Sequence, residues 1–371
     1  MNKLKWGYAA IALVLLLVVS AQLSRFYSRP LGESLDLPTQ APSSTPTELV
    51  TATSAPEMTS APTVLPTPTP QPLCGGPALM YIMAVGSDSR GNHYLYGLAD
   101  IIRIARIDFV TPRVTVLEMP RDLWVKIPEI SDHYNLTEGK LNQSYLYGNK
   151  GLGYYDGPGQ GPGLLARTLD LNFSLHPDHY LAVNMQTFAV LVDAVGGLDV
   201  YLPYDIDART PENPKGWFIE AGSHHFDGQT ALIAARLRPI NTFQRANNQS
   251  IIMCALKKKL LSPAILPKTP ELIQGFQKYL QTDLSPEQIA QLSCLGQKLE
   301  GKDIQFVGFP ENIFKATRKY DPDAKKEVFV LDVDLAVLND YVSRFQSGEW
   351  PLPQDSASTM KSQTKPEFTC P

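Results

Sequence analysis

The chain has 371 residues, 43% of them apolar, and carries 33 Lys and Arg against 37 Asp and Glu for a formal net charge of -4. That length allows a large core. The charge balance lacks the basic excess that nucleic-acid binding requires, so no nucleic-acid partner is expected and any anion site must be local.

Residues 1–5 read Met-Asn-Lys-Leu-Lys, and residues 6–24 follow without a charge until Arg25. A helix of that length rises about 29 Å, close to the roughly 30 Å of a bilayer's hydrocarbon core. The expected arrangement is a cytoplasmic amino terminus at 1–5, a single transmembrane anchor at 6–24 and an extracytoplasmic remainder in the cell membrane, with Lys3 and Lys5 on the inner side. A cleaved signal peptide, cut near Val19-Ser-Ala21, is the alternative. Residues 25–73 are assigned to a disordered linker, because Pro, Thr, Ser and Ala dominate from Pro38 to Pro72 and bury little apolar surface. Fully extended, that tract reaches roughly 110 Å, a tether holding the domain away from the membrane.

A domain over 74–350 and a tail over 351–371 complete the division. Strands are expected at Leu79–Val85, Ile101–Phe109 and Arg113–Met119, the last two forming a hairpin across Val-Thr-Pro. Helices at Leu164–Leu171 and Met185–Val195 enclose a strand at Tyr180–Asn184, and a strand at Leu198–Leu202 follows Gly196-Gly197. Further helices are expected at Gln229–Ala235, Asn247–Leu261, Pro270–Tyr279, Pro286–Leu299 and Leu335–Phe345, with a strand at Ile304–Val307. This order implies an α/β fold with a mixed central sheet covered by helices on both faces.

Four cysteines, Cys74, Cys254, Cys294 and Cys370, lack metal-ligand spacing. In an exported chain they suggest disulfides. Cys74 and Cys370 bracket the folded region and are expected to pair, leaving Cys254 with Cys294 on consecutive helices; buried free thiols are the alternative. His224-His225 lacks spaced partners and reads as a surface loop.

Two acids, Asp88 and Asp100, sit at the mouths of neighbouring strands with Arg90 between them. Polar residues recur at other element ends: Arg121-Asp122, Lys140, Arg236, Arg238, and Arg245 with Gln249. Loops at strand ends converge on one edge of an α/β sheet. Paired carboxylates with forked guanidinium groups suit a diphosphate bridged by Mg2+.

Gly86-Ser-Asp-Ser-Arg90, Asp100, Met119-Pro-Arg-Asp122, Lys140-Leu-Asn142, Val183-Asn184, Leu191-Val-Asp-Ala-Val-Gly-Gly197, Gly222, Gly228-Gln-Thr-Ala-Leu232 and Ala235-Arg-Leu-Arg238 occur in that order. Together they resemble the LytR-CpsA-Psr family, once labelled a cell-envelope-related transcriptional attenuator, over roughly residues 79–262. The resemblance implies a phosphotransferase that moves a glycopolymer from a polyprenyl diphosphate carrier to peptidoglycan or another cell-wall acceptor. It implies Mg2+ on Asp88 and Asp100, and diphosphate on Arg90, Arg121, Arg236, Arg238 and Arg245 with Lys140 and Gln249 near it. Asp88, Arg121, Arg236 and Arg238 are the implied catalytic set, and Asp122 is expected to orient Arg121. The polyprenyl tail needs an apolar slot, for which Leu164, Leu165, Phe188, Leu191 and Val192 are candidates.

The chain departs from the family pattern at Leu98 and Ala99, where an arginine and a hydroxyl are usual, and at Asn248, where a second arginine is usual. Those losses motivate a rival reading, a protein that binds polyprenyl-diphosphate-linked or wall polymer without turning it over. Arg103 or Arg106 could compensate, or face solvent.

Overall fold

In the computed structural model the residues described are 27–37, 71–89, 94–210, 213–237, 242–265, 272, 276, 279–351 and 368–370. The apolar run 6–24, Arg90, Arg238 and most of the stretch Pro270–Tyr279 lie outside them. Among the described residues, no helix is long and apolar enough to cross a membrane.

Alternation of side chains builds the central sheet. Strands β1 (Leu79–Ser87), β2 (Ala99–Asp108) and β3 (Arg113–Glu118) form an antiparallel meander. On β2, Ile102 and Ile104 enter the core on one face, while Ile101, Arg103 and Ile107 point to the other. The meander is followed by short β4 (Trp124–Lys126) and β5 (Glu138–Lys140), then helices α1 (Leu141–Gly148) and α2 (Gln160–Phe173). Strand β6 (His179–Asn184) returns parallel to β1. Helix α3 (Met185–Ala194) starts where the Asn184 side chain accepts the Thr187 amide and ends before Gly196 and Gly197, whose φ angles of +79° and +74° only glycine adopts easily.

Strands β7 (Leu198–Leu202) and β10 (Gly222–Phe226) pair antiparallel, and the small pair β8 (Ile206–Asp207) and β9 (Phe218–Ile219) lies between them in sequence. His224 and His225, expected in a loop, are on β10, and the His225 side chain is exposed. Helices α4 (Gly228–Arg236) and α5 (Thr242–Leu260) follow, then β11 (Gln281–Thr282), α6 (Pro286–Lys298) and β12 (Ile304–Val307). Hairpin β13 (Phe314–Asp321) and β14 (Lys326–Val333), unforeseen in the sequence, precedes α7 (Leu335–Ser347) and β15 (Phe368–Thr369). The order across the seven-stranded mixed sheet is β11-β6-β1-β2-β3-β12-β15.

One face of this sheet packs against α1, α2 and α7, which contribute Leu141, Tyr145, Leu164, Leu165, Leu338 and Val342 to the largest core. Helices α5 and α6 cover part of the other face, where Met80, Ile82 and Ile107 meet Cys254 and Leu295. Helices thus cover both faces, as expected.

The chain ends depart from the expected boundaries. Residues 27–37, assigned to the linker, lie on the domain: Leu35 is buried in the main core, and Arg167 donates to the Leu35 and Asp36 carbonyls at 2.9 and 3.0 Å. Three leucines in seven residues, Leu31, Leu35 and Leu37, supply the apolar surface that the Pro-rich tract lacks. Nor is 351–371 only a tail, since β15 forms an edge of the sheet against β12.

All four cysteines are bonded, but not in the expected pairs: Cys74 joins Cys294, and Cys254 joins Cys370. Cys74 sits in a 3-10 turn on which α6 packs, where Gln291 donates to the Gly75 carbonyl at 2.9 Å. Cys370 follows β15 and meets α5. Each chain end meets the helix that covers it, so bracketing the domain does not pair the two ends with each other.

Candidate active site

The site begins at an irregularity in the meander. Gly86 pairs with Ile101, yet Ser87 pairs with Ala99, so Asp100 is the extra residue of a β-bulge, a device that re-aims a side chain at a strand end. Asp88 follows β1 directly. Its amide donates to the Leu98 carbonyl at 3.1 Å, and its Oδ1 accepts the Leu98 amide at 2.6 Å. The backbone of Leu98 therefore clamps Asp88 beside the bulge. Both acids lie at the edge formed by the carboxyl ends of β1, β3 and β6.

Arg121, two residues after Met119 at the end of β3, comes to that edge. Its Nη1 donates to Asp100 Oδ1 and its Nε to Asp122 Oδ2 at 3.2 Å. Lys140 Nζ reaches Asp122 Oδ1 at 3.2 Å. The run Lys140–Asp122–Arg121–Asp100 is one chain of alternating charge, with Asp122 orienting Arg121. The Lys140 segment is fixed because the Leu141 and Asn142 amides donate to the Leu123 and Arg121 carbonyls at 2.8 and 3.1 Å. Asp88 Oδ2 and Asp100 Oδ2 make no hydrogen bond to a described residue. Among the described residues no third acid, His or Cys joins them as a metal-binding group. Two carboxylates of this kind fit Mg2+, which usually takes one or two carboxylates and fills its shell with phosphate oxygens and water.

Behind the acids an apolar slot of about 410 Å3 runs between sheet and helices. Ala84, Gly86, Ile101, Leu181 and Val183 line its sheet side, and Phe188, Leu232, Ile252 and Met253 its helix side. Asp100, Arg236, Arg245 and Gln249 stand at its polar end. A smaller cavity of about 80 Å3 shares Asp100, Arg245 and Gln249 with the slot and adds Arg121 and Asp122. Phe314, Phe329 and Leu331 of the unforeseen hairpin complete it, held there as the Leu331 amide donates to the Asp122 carbonyl at 2.8 Å.

Helices α3 and α4 pack closely enough to form the slot because Gly228 has no side chain. A Cβ there would come within 1.9 Å of the Ala189 carbonyl oxygen, and the Gly228 amide donates to Asp193 at 2.7 Å. Asp193 and Gly228 of the sequence pattern are thus structural. Of the slot candidates, Phe188 lines this cavity and Leu191 an adjoining one. Leu164, Leu165 and Val192 do not; they are fully buried in cores, the first two on the opposite face of the sheet.

Arg103, which could have faced solvent, is 4% exposed and lines the slot. Its guanidinium donates to Ser250 Oγ at 3.2 Å and approaches Gln249 Oε1 at 3.4 Å and Glu118 at 3.8 Å. Burial pulls its pKa below the ordinary value, and Glu118 opposes that. Arg106 turns elsewhere, to the Gln346 carbonyl and Asp108. Asn248 accepts from the Tyr204 hydroxyl at 3.0 Å and is not among the residues lining the slot. The structure therefore brings Asp88, Asp100, Arg121, Lys140, Arg236, Arg245 and Gln249 to one sheet edge, while Arg90 and Arg238 lie outside the described residues.

A model of the LytR_cpsA_psr family matches residues 78–332. The chain belongs to that family. Membership extends well past the motif-bearing stretch and takes in the β13–β14 hairpin at the site. Regulatory protein MsrR of Staphylococcus aureus (strain COL) is 26% identical over 232 residues, covering 62% of this chain and 64% of MsrR. The polyisoprenyl-teichoic acid--peptidoglycan teichoic acid transferase TagU of Bacillus mycoides (strain KBAB4) is 26% identical over 258 residues, covering 66% of this chain and 75% of TagU. LytR_cpsA_psr structures share the fold: B. subtilis TagV superposes with a TM-score of 0.55 at 19% identity, covering 72% of this chain and 96% of TagV. TagT bound to LIIa-WTA gives 0.54 at 16% identity, covering 73% and 90%. The family thus includes a protein named as a glycopolymer transferase.

Proposed function

We propose that the chain is a Mg2+-dependent phosphotransferase that moves a glycopolymer from a polyprenyl diphosphate carrier to peptidoglycan or another cell-wall acceptor. The observation that carries this reading is the joining of an apolar slot to a cluster of acids and arginines at one sheet edge. Such a shape matches an amphiphile with a long apolar tail and a diphosphate head. The transferase name of the TagU relative and the LIIa-WTA bound to TagT support it.

In this reading Asp88 and Asp100 hold Mg2+, which neutralises charge on the diphosphate when bound. Arg121, Arg236 and Arg245 bind the phosphate oxygens, while Asp122 and Lys140 keep Arg121 in place. An acceptor hydroxyl attacks the sugar-bearing phosphorus and polyprenyl phosphate leaves. Phosphoryl transfer depends chiefly on positioning and charge stabilisation, so the site needs no nucleophilic side chain. Residues 6–24 anchor the chain and place the domain outside the cell, in keeping with two disulfides.

The test incubates the protein with a polyprenyl diphosphate sugar, Mg2+ and wall fragments. Release of polyprenyl phosphate coupled to labelling of the acceptor is expected. Tight binding of the lipid without release would identify a binder instead.

A further inference from the structure

The apolar slot does not end at the first cavity. A second cavity of about 630 Å3 shares Leu181 and Met253 with it and continues between α5, α6 and the docked segment 27–37. Leu31, Leu256, Leu260, Phe276 and Leu292 give it an apolar lining. The segment is built into that wall. The Leu31 amide donates to the Leu284 carbonyl at 3.2 Å, Ser28 Oγ donates to Glu287 at 3.1 Å, and the Tyr180 hydroxyl donates to the Glu33 carbonyl at 3.0 Å. Gly32 lies so close to β11 that a Cβ would come within 2.6 Å of the Thr282 carbonyl oxygen.

Only three peptide steps separate Ser24, the end of the apolar run, from Tyr27, the first described residue. At no more than about 3.6 Å each they span roughly 11 Å. A run that crosses the bilayer therefore holds this side of the domain at the headgroups. The Pro-rich residues 38–70 cannot relax that limit, because they join two points already fixed on the domain: Leu37 against the main core, and Leu73, whose amide donates to the Phe109 carbonyl at 2.8 Å. The chemistry of this face agrees. Exposed Tyr27 and Arg29 precede the cavity-lining Leu31 in the segment, and Lys257 of α5 lines the cavity and is followed by exposed Lys258, a combination of aromatic and basic side chains that suits a membrane–water interface with anionic lipid.

We propose that residues 27–37 seat the domain directly on the membrane, with the tail end of the slot opening at the bilayer between Leu31 and the lysine-bearing end of α5. A polyprenyl chain then passes from the bilayer to the acid and arginine cluster without crossing water, and the Pro-rich tract is an excursion rather than a tether. This rests on the anchor and carrier lipid of the proposed function.

The full chain, reconstituted in vesicles of brominated phosphatidylglycerol and phosphatidylcholine without substrate, tests it. A fluorophore is attached at Lys258→Cys or, as a control on the β13–β14 hairpin, at Tyr320→Cys. The label at 258 is expected to be quenched about threefold more than the label at 320, since an interfacial face sinks about 5–10 Å into the headgroup region. A Gly/Ser spacer inserted between Arg25 and Phe26 should abolish the difference, and the same spacer after Ser54 should leave it. Equal quenching at both positions, or loss of the difference on inserting after Ser54, overturns the proposal. Failure of the chain to float with vesicles removes the anchor, and this inference with it. Because no step depends on turnover, a failed transfer assay leaves the result standing.

Discussion

Asp88 and Asp100 each use one oxygen within the protein, the first for the Leu98 amide and the second for Arg121. An Asn side chain retains an oxygen acceptor for those bonds but loses the charge a hard cation requires. Asp88→Asn and Asp100→Asn are therefore expected to melt within about 1 kcal/mol of the wild type, as neutral-for-charged changes at partly exposed sites do. Both should lose the stabilisation that Mg2+ and a diphosphate lipid confer together. Large destabilisation with transfer intact would assign the acids a purely structural role. Arg121 and Arg103 divide in the opposite sense. Arg121→Ala should lower transfer by about 10²–10³-fold, the scale of losing one charge-stabilising donor, with little change in melting. Arg103→Ala should destabilise by about 1–3 kcal/mol, because Ser250 and Gln249 lose a buried donor. Melting curves beside the transfer assay separate the two, and equal loss of activity at equal stability would place Arg103 among the phosphate ligands.

At the scale of elements, the disulfides hold the two ends of the domain to the two helices that cover them. Cys254–Cys370 closes 116 residues and pins edge strand β15 to α5. The double change Cys254→Ser with Cys370→Ser is expected to cost about 2–4 kcal/mol, chiefly by freeing the unfolded chain. Peptide mapping of unreduced protein should recover Cys74 with Cys294 and Cys254 with Cys370; a Cys74–Cys370 peptide would contradict the structure. The strands of the meander, β6 and helices α3, α4 and α7 were legible from alternation, caps and glycine stops. Helix α1 was not, because its eight residues follow Lys140 without a side-chain repeat long enough to register a period. Hairpin β13–β14 was also missed. Charged residues at Lys315, Arg318, Lys326, Glu327 and Asp332 dominate its exposed positions, so it reads as a charged loop, although Phe314 and Leu331 face the site.

The molecule as a whole joins its amino-terminal segment to its core. Leu35 is 2% exposed among residues of the main cluster, so Leu35→Ala in the full chain should cost about 2–5 kcal/mol. A chemical melt shows this directly, and an unchanged midpoint would mean that residues 27–37 are not docked in solution. The sequence by itself determined the family, the α/β order and the acids and cations of the sheet edge, because short motifs and side-chain periods are local properties of the chain. Three things were decided only by tertiary structure. The bulge that turns Asp100 toward the edge depends on a register shift between two strands. Which cysteine meets which depends on the helix that lies over each chain end. The docking of residues 27–37 depends on a groove made by β11, α2 and α6, elements more than a hundred residues away in the chain, which no local window contains.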